Sequence, residues 1–85
     1  MTKIDLIYSQ DSSTDIVIKN LLREIKLEHP RIILNELEKN SGKGKKYIDQ
    51  LGILSLPALV INDELFSTGM ITKEDILEKI KAPTE

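Results

Sequence analysis

The sequence predicts an α/β fold with elements in the order βαβαββα, in which four short strands form one mixed sheet covered by helices. Short apolar-rich runs alternate with stretches whose apolar residues recur at helical spacing. The first half reads as strand, helix and strand, which implies a parallel, right-handed crossover. Asn62-Asp63 between two strand-like runs marks an antiparallel hairpin in the second half. The 85 residues are read as one domain, 1–85, with a frayed tail at 82–85.

Lys3 to Ser9 (KIDLIYS) sets Ile4, Leu6 and Tyr8 against Asp5 and Ile7. Apolar residues on both faces place this strand near the middle of the sheet. The polar turn SQDSSTD, Ser9 to Asp15, follows. Beyond it Val17, Ile18, Leu21, Leu22 and Ile25 define the apolar face of a helix. That helix ends near Glu28, because Pro30 pushes His29 away from α geometry. Arg31 to Leu37 reads as the second strand, and Lys39 to Lys46 (KNSGKGKK) as a polar connector. A short helix from Lys45 presents Tyr47, Ile48 and Leu51 and stops at Gly52, a left-handed cap residue. Ala58 to Ile61 is a buried strand, and Asn62-Asp63 turns it back into Glu64 to Ser67, an edge strand broken by Gly69. Thr72 and Asp75 have capping-box spacing ahead of Ile76, Leu77 and Ile80, the inner face of the last helix.

Composition narrows the chemistry. The net charge of −2 lacks the basic excess that phosphate binding requires, so no nucleic acid partner is expected. No apolar run approaches the roughly 20 residues of a membrane span, and the N-terminus lacks a signal-peptide core, so a cytoplasmic protein is expected. With no cysteine, disulfides, thiolate metal sites and thiol catalysis are excluded from this chain. No His/Asp/Glu cluster has metal-ligand spacing, and neither metal nor cofactor is expected. Abundant Ile, Lys and Glu without Cys is compatible with a thermophile. KNSGKGKK lacks the spacing of a phosphate loop. Its Lys39, Lys43, Lys45 and Lys46 read as a solvated loop, the alternative being a site for an anion or an acidic partner.

The segment Ile53-Leu54-Ser55-Leu56-Pro57-Ala58-Leu59-Val60-Ile61-Asn62 resembles the cis-proline region of small archaeal and bacterial thioredoxin- and glutaredoxin-like proteins. Gly69, followed by Thr72-x-Glu74-Asp75-Ile76-x-x-x-Ile80, resembles their ending. The likeness runs from Lys3 to Lys81 and implies a thioredoxin-like fold, a four-stranded mixed sheet with helices on both faces and Pro57 cis. In that family the turn after the first strand holds Cys-x-x-Cys. If Thr14 took the second cysteine place, Asn20 would fall where an apolar core residue belongs. With Asp15 there, the corresponding positions are Val17, Ile18, Leu21, Leu22 and Ile25. This register gives Ser12 the place of the nucleophilic cysteine and Asp15 that of the resolving one.

The thiol chemistry does not survive the exchange. A serine hydroxyl is un-ionised at neutral pH and forms no mixed disulfide, and an aspartate resolves none. The buried acid that thioredoxins place six residues before the first cysteine is here Leu6. Ser12 also lacks a base for hydrolase chemistry: His29, the chain's one histidine, stands about 25 Å away at the far end of the helix. Ser12 or Ser13 is therefore read as a helix cap, with Asp15 in the first turn.

What the resemblance implies is a binding surface. Ser12, Ser13, Thr14, the Leu56-Pro57 loop and Gly69 would hold a protein or an extended peptide, with the Leu56 backbone pairing to it and Leu56 and Ile53 making the groove apolar. The expectation is a redox-inactive thioredoxin-like protein, not an enzyme, that is a monomer or weak homodimer. Two alternatives stand beside it. One is a thiol–disulfide oxidoreductase relative whose catalytic cysteine has been replaced by Ser12, and the other is a structural domain that dimerises through its hairpin edge.

Overall fold

Residues 2–81 are described by a computed structural model, so the tail expected at 82–85 lies outside the described residues. The elements are β1 (Lys3–Tyr8), α1 (Ser13–Glu28), β2 (Ile33–Glu38), α2 (Gly42–Leu51), β3 (Ala58–Ile61), β4 (Glu64–Thr68) and α3 (Lys73–Lys81). They form a four-stranded sheet in the order β2-β1-β3-β4. β1 runs parallel to β2, from Lys3 beside Ile33 to Tyr8 beside Glu38, and antiparallel to β3, with Ile7 beside Ala58. β3 and β4 are joined by Asn62 and Asp63, whose φ values of 52° and 69° are those of a tight hairpin turn.

Each face of the sheet has its own apolar layer. Ile4, Leu6 and Tyr8 of β1 and Leu59 and Ile61 of β3 meet Ile18, Leu22 and Ile25 of α1 and Ile76 of α3. Leu77 and Ile80 pack partly buried against the same layer. On the other face Ile7, Ala58 and Val60 pack with Ile53, and Tyr47, Ile48 and Leu51 of α2 cover them. A central strand sandwiched in this way carries apolar residues on both faces, as β1 does.

Several boundaries differ from the sequence-based reading. β2 begins at Ile33, two residues after Arg31, because Pro30 and Arg31 are taken up by the turn that ends α1. α2 begins at Gly42, so most of the expected connector 39–46 is helix, capped by the Ser41 hydroxyl, which accepts the Gly44 N–H at 3.0 Å. Gly44 is needed there, since a Cβ would collide with the Glu38 carbonyl oxygen. β4 extends one residue further, to Thr68. Val17 is 53% exposed and does not belong to the inner face of α1, which is instead Asp15, Ile18, Leu22 and Ile25, with Leu21 half-buried.

Candidate functional site

The turn SQDSSTD closes through hydrogen bonds among its own members. Ser12 is the N-cap of α1, with extended φ and ψ of −106° and 124°. Its hydroxyl accepts the Asp15 N–H at 3.3 Å. The Asp15 carboxylate reaches back across the turn and accepts the Ser9 N–H at 2.6 Å. The Asp15 N–H, without an intrahelical partner at the helix start, and the Ser9 N–H in the turn thereby find side-chain acceptors. Asp15 is 1% exposed, whereas Ser13 is exposed and Ser12 and Thr14 are half-buried.

Strand pairing brings the other expected site residues to the same edge of the sheet. Ile7 pairs with Ala58 and Ala58 with Thr68, so the chain after β1, the residues before β3 and those after β4 emerge side by side. The Leu56–Pro57 peptide is cis. Pro57 is buried, Leu56 is half-buried, and the Pro57 carbonyl accepts the Gly69 N–H at 2.8 Å. Gly69 has φ 81°, in the region that favours glycine. Ile53 does not line this surface: it is buried with Ile7, Ala58 and Val60. Exposed apolar side chains flank the edge instead. Leu54 is 97% exposed and Met70 64%, and Ile16 and Val17 stand outward on the first turn of α1.

The opposite end of β1 holds a polar cluster that the sequence pattern did not reveal. Asp5, with no exposed surface, sits in the central strand on the α2 face. Its carboxylate accepts from Asn35 Nδ2 at 2.8 Å and from the Tyr47 hydroxyl at 2.9 Å. Lys3 Nζ lies 3.7 Å from the same carboxylate and 2.7 Å from Asp63 Oδ1. Tyr47 also stands 3.3 Å from Asp63, linking the hairpin turn to α2. Burial raises the Tyr47 phenol above its ordinary value, and the bond to Asp5 adds to this. The bond to Lys3 holds Asp63 below the usual carboxylate value. Every buried side-chain polar atom among the described residues has a partner.

Beside this cluster a groove of about 540 Å³ runs between α2 and Asp63, lined by Gly42, Lys43, Lys46, Tyr47, Gln50 and Leu51. Among the described residues no group of three or more His, Asp or Glu is placed to hold a metal ion. No helix there is long and apolar enough to cross a membrane.

Comparison with known proteins places the fold. The model of a family described as a thioredoxin domain matches residues 14–81, a span that begins just after Ser12 and includes Asp15, Pro57 and Gly69. The structure is similar to that of oxidised thioredoxin O2 from Arabidopsis thaliana, with TM-score 0.73 and 10% identity over 95% of this chain and 73% of that one. It is also similar to oxidised mitochondrial thioredoxin 3 from Saccharomyces cerevisiae, with TM-score 0.72 and 11% identity over 94% of this chain and 76% of that one. No curated protein matches the sequence.

Proposed function

The chain belongs to the thioredoxin domain family, and on that premise we propose that it works by holding an extended protein segment rather than by thiol–disulfide exchange. The observation that carries this reading is the content of the first turn. Ser12 and Asp15 stand at the cap and third helical positions, where the family's cysteines are expected, and the chain has no cysteine at all. Exchange requires a thiolate on each side of the transfer. Neither side chain supplies one, and both are engaged in capping the helix and tying the turn.

What supports binding is the apolar character of the same edge. Leu54 and Met70 are exposed next to the Pro57 and Gly69 segments, and Ile16 and Val17 face outward near the start of α1. Leu56 is half-buried and packs partly against Ile7, Ile53, Ala58 and Val60. An extended segment laid against the Leu56 backbone would take main-chain hydrogen bonds there and place alternate side chains on these residues. Ser12, Ser13 and Thr14 supply the polar border. The partner is a protein or a peptide, and the site takes no cofactor.

The test compares proteins that copurify with wild type and with Leu56→Arg from the source cells. A charged, bulky side chain at this half-buried position displaces the partner, and at least one protein captured by wild type is depleted fivefold or more. Identical partner lists from two folded baits defeat the groove reading.

A further inference from the structure

We propose that the groove between α2 and the β3–β4 turn binds a small organic anion, with its acidic group on Lys43 and Lys46 and its apolar body on Tyr47 and Leu51. The groove's volume of about 540 Å³ falls within the range of small-molecule sites, roughly 300–1,000 Å³. Its walls differ in character. Lys43 and Lys46 stand three residues apart on α2, so their side chains rise from one face of the helix. Neither makes an ion pair with any described residue, while the basic side chains of Lys3, Arg23 and Lys73 all do. Both lysines are exposed, and Gly42 adds no side chain at the groove's rim.

The aromatic wall is fixed from behind. The Tyr47 hydroxyl donates to Asp5, which is itself wholly buried and held by Asn35 and Lys3. A charged group buried in a central strand is a weak source of stability compared with an apolar side chain of the same size. Here it sets the position of one ring that faces a groove, the arrangement that keeps a binding wall preorganised. Asp63 on the hairpin side also lines the groove, where Lys3 and the nearby Lys43 charge hold it ionised, so the two ammonium groups of α2 face a single lining carboxylate.

The test follows amide shifts of the labelled protein during titration with phenyl phosphate, benzoate, inorganic phosphate and benzyl alcohol. Phenyl phosphate or benzoate shifts the amides of 42–51 and Asp63 along a saturating curve. The tighter of these two identifies the preferred acidic group. Inorganic phosphate and benzyl alcohol, which carry the head or the body alone, bind at least tenfold more weakly. Lys43→Gln/Lys46→Gln keeps the wild-type melting temperature and loses affinity fivefold or more, whereas Arg31→Gln/Lys79→Gln, at exposed positions outside α2, leaves affinity unchanged. Shifts scattered over surface lysines without saturation, equal affinity for inorganic phosphate, or undiminished binding by the Lys43/Lys46 variant would each overturn the proposal.

Discussion

The two ends of β1 solve the same problem, how to place polar groups beside a core, in opposite ways. At the Ser12 end the groups are neighbours in sequence: Ser9, Ser12 and Asp15 lie within six positions of one another and satisfy local backbone donors. At the Asp5 end they are distant. Asn35 lies 30 residues away from Asp5 and Tyr47 lies 42 away, and Asp63 joins Lys3 across 60. The first arrangement shapes a turn and leaves the surrounding surface apolar. The second ties the central strand, β2, α2 and the hairpin turn together, and it exists only once they have assembled. A local motif makes a surface, and a nonlocal one holds the body behind it.

The largest effect should come from cutting the nonlocal network. Asp5→Ala leaves Asn35 and Tyr47 without their buried acceptor and should cost about 3 kcal/mol of unfolding free energy by urea titration. A loss as small as that of an exposed substitution would show that the cluster is passive. At the other end Asp15→Ala removes a buried carboxylate that takes the Ser9 N–H, and should cost about 2 kcal/mol. Ser12→Ala removes only the cap hydroxyl and should cost about 1 kcal/mol in the same titration, while exposed Ser13→Ala changes stability by less than about 0.5 kcal/mol. If Ser13→Ala cost more than Ser12→Ala, the assignment of the cap would be wrong.

Alkaline pH gives the smallest and most selective probe. The Tyr47 phenol titrates above its ordinary value of 10.0 in the folded protein, first through burial and then through its bond to Asp5. A group raised on folding contributes stability that is fully present below its unfolded value and is lost as pH rises through its folded value. The gap in stability between wild type and Tyr47→Phe should therefore be constant below pH 10 and shrink above it. A gap that stays constant into stronger alkali would mean that Tyr47 is not held by the network.

This contrast also explains what could be read from the sequence. The order of elements, the central place of β1 and the hairpin at Asn62-Asp63 were legible because periodicity and turn residues are local signals. A serine cap at the head of the apolar helix is also a local signal, but the sequence allows Ser12 or Ser13, and the bond from the Asp15 N–H selects Ser12. The buried state of Asp5 was not legible. Between Ile4 and Leu6 an aspartate looks like any solvent-facing strand residue, and its partners are recruited from β2 and α2. The start of α2 is obscured in the sequence because Gly42 and Gly44 are poor helix formers among lysines. Ser41 was the available signal, and Gly44 is tolerated because α2 passes tightly over the Glu38 carbonyl. Ile53 faces the core and not the groove, and an apolar residue beside a loop carries no sequence mark that says which way it faces.

On the proposed reading, the Ser12 turn keeps the position of a thioredoxin active site and lacks its chemistry. The most direct measurement is dithiothreitol-driven insulin reduction by wild type and by Ser12→Cys/Asp15→Cys, with circular dichroism to establish that both are folded. Wild type should show no turnover above buffer and the double variant measurable turnover, because the two substituted positions are the cap and third residue of α1. Turnover by wild type, or a folded double variant that stays silent, would contradict it.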